Sequence, residues 1–109
     1  QAIGAAIIVA NVYCSESIRE YIVNITEATR NADFIKLGVS PRGSIAMYKM
    51  AKAYAFVKGR DYVLPDDVKV LAPYVFSHRI MLTSKGKSAM SDNEQAIREV
   101  LNQVMVPVE

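Results

Sequence analysis

Three sets of residues in this 109-residue chain are of types that could do chemistry: Ser40-Pro41-Arg42-Gly43, the adjacent acids Asp66 and Asp67, and His78 with Arg79. The first set is the most informative. Ser40 is a suitable helix N-cap, since its hydroxyl can accept from an unpaired first-turn amide. Pro41 suits the first helical position, where a missing N–H costs nothing. Arg42 then falls in the first turn, where the helix dipole already presents positive potential, so a cation is mildly unfavourable unless an anion meets it. A helix N-terminus carrying an added arginine can receive phosphate or carboxylate. The alternative is an Arg42 that reaches back to an acidic neighbour or points into solvent, as many surface arginines do.

The other two sets read as structural. Asp66 and Asp67 follow Pro65 and have the placement of first-turn acids. His78 is the single histidine, and the single cysteine, Cys14, lies far from it in sequence, so no residue is assigned to a metal. There is no G-x-x-x-x-G-K-[ST] loop and no apolar strand ending in paired acids, so this stretch alone lacks the means to hydrolyse ATP.

The elements that must position Arg42 are helical. Ser15 caps an amphipathic helix with Ile18, Tyr21, Ile22, Ile25 and Ala28 on one face, ending near Asn31. Asn31 to Val39 reads as an extended connector that aims Ser40, Pro41 and Arg42 outward, with a short strand pairing Ile35–Leu37 to Tyr62–Leu64. The helix opened by Ser40 runs from Gly43 to Lys58 and ends at Gly59 in a left-handed conformation. A further helix opens at Pro65, buries Val68, Leu71, Ala72, Val75 and Phe76, and is kinked or split at Ala72 by Pro73. Ser77 to Lys87 reads as a loop broken by Gly86. Ser91 and Glu94 then form a capping box for a last helix carrying Ile97, Val100, Leu101 and Val104 and ending before Pro107. The apolar stretch Gln1 to Asn11 is read as one more helix. The fold class is all-α, a bundle of about five helices with one short extended pair.

Composition bounds the partners. A net charge of +2 is too small to argue for nucleic acid, and no apolar run reaches membrane-spanning length. A lone cysteine forms no internal disulfide, which suits a reducing cytoplasm. Hydrophobic residues make up 51% of the chain and mean hydropathy is +0.13, which fits a piece that packs on another domain and equally a well-buried core. Tyr48, Tyr54 and Tyr74, at helical spacings, suit a core or an interface better than base stacking.

Gly38 to Arg42, Gly59-Arg60-Asp61-Tyr62-Val63, Pro65 to Val68, Leu71-Ala72-Pro73 and His78-Arg79, continuous over about forty residues, resemble the lid subdomain of MoxR-type AAA+ ATPases. The resemblance implies a single lid domain over 1–109, preceded by an α/β ATPase domain that holds ATP and Mg²⁺. It makes Arg42 the sensor 2 arginine, which reaches the γ-phosphate, with Ser40, Pro41 and Gly43 near the nucleotide. It also implies a ring homo-oligomer, expected to be a hexamer, and chaperone-like action on client proteins. His78 and Arg79 match a His-Arg pair expected to fix the end of the helix opened at Pro65. Leu64 stands where the family has Thr or Ser, a departure worth about 1 kcal/mol of cap energy. Two other readings stay open: the lid of a related ATPase such as a magnesium chelatase subunit, and a helical adaptor that binds no nucleotide.

Overall fold

The computed structural model describes residues 11–108; the helix expected over Gln1 to Asn11 lies outside them except for Asn11, which stands in a turn. Five helices and one two-stranded sheet are described: α1 (Glu16–Asn31), β1 (Ile35–Leu37), α2 (Pro41–Val57), α3 (Pro65–Ser77), β2 (Met81–Leu82), α4 (Ser84–Ala89) and α5 (Asn93–Gln103). The all-α reading holds. α3 packs between α2 and α5, and α1 lies across α2 and α5. Tyr21, Ile18, Ile22 and Ile25 of α1, Met47 of α2, Val68 and Phe76 of α3, and Ile97 and Val100 of α5 fill one core. Burying each of these large side chains is worth about 1.5–3 kcal/mol, so the α1, α3 and α5 stripes suffice to set the packing.

Ser15 caps α1, its Oγ accepting from the Ile18 amide at 3.3 Å. Beyond the expected stripe, α1 also buries Thr26 and Thr29, and both hydroxyls donate to carbonyls one turn back, of Val23 and Thr26. The end of α2 follows expectation. Gly59 adopts φ +82°, its amide donates to Phe56 O and the Arg60 amide to Ala55 O, both at 2.9 Å, which closes a Schellman motif.

Four expectations are corrected. β1 pairs antiparallel with β2, Ile35 opposite Leu82 and Leu37 opposite Met81, with a bulge at Lys36, and does not pair with Tyr62–Leu64. Tyr62 instead bridges Tyr13, with the Val63 amide donating to Tyr13 O at 2.8 Å. The stretch from Ser77 to Lys87 is not a loop but contains β2 and α4. Thr83 caps α4 by accepting from Gly86 N at 2.9 Å, and Gly86 sits inside that helix because a Cβ there would lie 2.2 Å from Phe34 O. Close approach to a backbone carbonyl, not helix breaking, explains the glycine.

Of the kink or split expected at Pro73, the split does not occur, since α3 runs through to Ser77. Pro73 is buried in the packed face, and the carbonyl it deprives of a donor belongs to Lys69, an exposed residue. Lastly, the cap of α5 is Asp92, one residue beyond the expected Ser91. Its Oδ1 accepts from Gln95 N at 2.8 Å, while Gln95 Oε1 accepts from both the amide and the hydroxyl of Ser91 at 2.7 Å. An ionised Asp favours a helix start through charge as well as hydrogen bonding. This register also lets Asn93 Nδ2 donate to Ser77 O at 2.8 Å, tying α5 to the end of α3. Asp92→Ala is therefore expected to destabilise the fold by about 1 kcal/mol and Ser91→Ala by less than half of that, measured by urea unfolding. The reverse ranking would restore the Ser91 cap.

Tyr21 is 1% exposed, and among the described residues its hydroxyl is the buried side-chain group with no hydrogen-bond partner. Burial, followed by the carboxylate of Asp66, pushes its pKa above 10. Because the folded state holds this proton more tightly than the unfolded chain, Tyr21 favours folding below pH 10 and loses that contribution as pH rises through the folded value. Tyr21→Phe is expected to be neutral or stabilising by about 1 kcal/mol at pH 7, and to weaken the loss of stability above pH 10. Destabilisation of the Phe variant by more than 1 kcal/mol in urea would reveal a partner for the hydroxyl.

Candidate functional site

The start of α2 is aimed by α1. Val39 is fully buried, and both of its backbone polar groups are held by the last turn of α1. Thr29 Oγ1 accepts from Val39 N at 2.9 Å, and Arg30 Nε donates to Val39 O at 3.0 Å. Gly38, one residue earlier, lies so close to α1 that a Cβ would stand 2.8 Å from the Arg30 backbone. Ser44, in the second turn of α2, donates to Thr26 Oγ1 at 3.3 Å. The threonines that interrupt the apolar stripe of α1 are thus the residues that fix where α2 begins. Sequence periodicity missed them, since Thr26 and Thr29 register as polar residues and not as anchors.

Ser40 is the N-cap residue, in extended conformation at φ −78° and ψ 166°, and Pro41 opens the helix. The Ser40 hydroxyl does not make the expected capping bond; the Gly43 amide bonds to Ser40 O at 2.9 Å instead. Among the described residues, the N-cap side chain therefore leaves the first-turn donors uncapped. Ser40, Pro41 and Arg42 are exposed, and Gly43 is buried. A Cβ on Gly43 would stand 2.3 Å from Val39 Cγ1 and 3.2 Å from Arg79 Cδ. The aliphatic stem of Arg79 therefore lies along the first turn of α2. Sequence reading placed Arg79 only at the end of α3. That end is closed by the backbone, with the His78 and Arg79 amides both donating to Phe76 O.

Arg42 has no hydrogen-bond or ion-pair partner among the described residues. Among the described residues no acidic neighbour meets it. An exposed guanidinium at an uncapped N-terminus, with positive dipole potential behind it, suits an external anion.

Asp66 is exposed, whereas Asp67 is buried and structural. Arg60 grips it bidentately, Nη1 to Oδ2 at 2.8 Å and Nη2 to Oδ1 at 2.7 Å, and Asp67 Oδ2 also accepts from Leu64 N at 2.8 Å. Hydrogen bonding to Asp67 holds Arg60 more firmly protonated than in water. Arg60 Nη1 also donates to Tyr62 O at 3.0 Å, so one ion pair fastens the turn between α2 and α3. The carboxylate of Asp67 reaches back to the cap residue and so offsets the missing hydroxyl at Leu64. Among the described residues no group of three His, Cys, Asp or Glu could hold a metal ion, and no helix is long and apolar enough to cross a membrane. Tyr48 packs on the core with Lys52 Nζ 4.9 Å from its ring centre, while Tyr74 is exposed.

Residues 27–104 match the family model described as the AAA lid domain. The chain belongs to the AAA lid domain family. This lid is 48% identical over 101 residues to YeaC, an uncharacterised protein of Bacillus subtilis, covering 93% of this chain and 32% of YeaC. It is 33% identical over 109 residues to the chaperone MoxR1 of Mycobacterium tuberculosis, covering 92% of this chain and 29% of MoxR1. A crystal structure of a candidate ATPase from Cytophaga hutchinsonii superposes with a TM-score of 0.82 at 33% identity, covering 93% of this chain and 33% of that one. The lid thus spans about a third of the length of the relatives it matches and is of the MoxR type.

Proposed function

We propose that this lid closes over ATP held with Mg²⁺ in an α/β ATPase domain of the same protein, and that Arg42 senses the γ-phosphate. The observation that carries this is Arg42 itself: exposed, without a partner among the described residues, and set at a helix start whose direction is fixed by Thr29 and Arg30. The names of the relatives, a chaperone and a candidate ATPase, support the same reading. When ATP is bound, its phosphates are the charge that the guanidinium donates to, in a reaction where positioning and charge stabilisation do most of the work. Ser40, Pro41 and Gly43 form the surrounding turn, with the glycine keeping the backbone clear of Val39 and Arg79. After hydrolysis the tether weakens and the lid rotates. In a ring of subunits, a hexamer in this proposal, that rotation works on client proteins in a chaperone-like way in the cytoplasm.

The test is ATP turnover and lid movement in the full-length protein, wild type against Arg42→Ala. Loss of both in the variant supports the sensor role. Unchanged turnover and movement would return Arg42 to the surface. A wild-type protein that turns over no ATP would make the lid a nucleotide-independent adaptor.

A further inference from the structure

α3 lies between α2 and α5, and its outer ridge carries Val70 and Tyr74, 49% and 57% exposed. A groove runs along each flank of Tyr74. On the α2 side, Met50 and Val75 supply apolar surface and Lys49 and Arg79 supply charge. On the α5 side, Val70 and Leu101 supply apolar surface and Lys69 and Arg98 supply charge. Among the described residues no Asp or Glu lines either groove. Arg98 leans on Glu94 at 3.5 Å, whereas Lys49, Lys69 and Arg79 form no ion pair among the described residues. The pattern is an apolar strip between two rows of cations, on a chain whose net charge is only +2.

We infer that this face docks an acidic amphipathic helix of a partner protein, its apolar stripe straddling Tyr74 and its carboxylates meeting Lys49 and Arg79 on one flank and Lys69 and Arg98 on the other. Charge complementarity selects the sign of the partner, and the apolar strip selects its class. A nucleic-acid backbone would satisfy the cations but leave Val70, Tyr74 and Met50 against phosphate and sugar. A helix with apolar residues at i, i+3, i+4 and i+7 and acids beside them matches both features. The 13 residues of α3 give the strip a length of about 20 Å, enough for three to four turns of such a helix. Neither groove includes Arg42; Arg79 lines one groove and also lies against Gly43, so the test varies Tyr74, Lys49 and Lys69, none of which the nucleotide reading uses.

The test uses the full-length protein and a fluorescein-labelled helical peptide of about five turns, with leucines forming one stripe and glutamates on both flanks. Saturable binding is expected, weakened about tenfold by Tyr74→Ala and by a similar factor by Lys49→Glu with Lys69→Glu. All three positions are exposed, so the variants should retain their far-UV spectrum and ATP turnover. The inference is overturned by an absence of saturable binding or by equal binding of a peptide with lysine at every glutamate. It is overturned equally by unchanged affinity in the variants, or by full competition from a single-stranded DNA oligonucleotide.

Discussion

Alanine at Arg42 is expected to lower ATP turnover by the full-length protein about a hundredfold or more, the scale seen when a transition-state charge partner is lost. Stability should move by no more than about 0.5 kcal/mol, because the side chain is exposed and touches no partner that its loss would strand. The separation of these two effects is what makes the measurement informative, since a slow enzyme cannot then be an unfolded one. Arg42→Lys keeps the charge but not the planar fork of donors, so it should recover only part of the lost rate. The decrease should fall on kcat more than on KM if the contact strengthens as the phosphoryl group transfers. Steady-state turnover with Mg²⁺, at saturating and at low ATP, distinguishes these outcomes, and a variant within threefold of wild type in both would remove the sensor role.

Asp67→Ala should destabilise the fold by about 3 kcal/mol, which denaturant unfolding of wild type and variant would measure. Asp67 is 3% exposed and accepts three hydrogen bonds, two from Arg60 and one from the Leu64 amide. Its removal strands the amide at the start of α3 and leaves a guanidinium with no countercharge. The Arg60 side chain retains 21% exposure, so water compensates part of the loss and the low end of the range for broken buried pairs applies. Asp67→Asn should lie between, because its side-chain oxygen still accepts from Leu64 N while the bidentate pair is lost. A loss below 1 kcal/mol for the alanine variant would mean that the Arg60–Asp67 pair does not fasten the turn.

Much of this architecture was legible in the sequence because local chemistry and burial agree. The α1 stripe, the Pro openings of α2 and α3 and the Gly59 terminus each rest on contacts within a few residues. What escaped is set by residues distant in sequence. Gly86 reads as a breaker until Phe34 O is found against its Cα, and β1 finds its partner across more than forty residues. The split that Pro73 allows does not occur, with Pro73 buried in the packed face of α3. At the site, Arg42 stood out because it contradicts the helix dipole. Arg79 did not, since only the close approach at Gly43 places it there. Asp67 read correctly as a first-turn acid, but its grip on Arg60 required the turn to be closed.

The double hold on Val39 has a mechanical consequence. With the amide of that residue bonded to Thr29 and its carbonyl to Arg30, the chain entering α2 is held to α1 on both sides of Val39. A pull applied at Arg42 would not bend the domain there but would turn α2, a bar of 17 residues and about 25 Å, as one piece with α1. The far end of that bar is the Gly59 turn, where the Arg60–Asp67 clasp passes the torque to α3. Force entering at one guanidinium would leave through another.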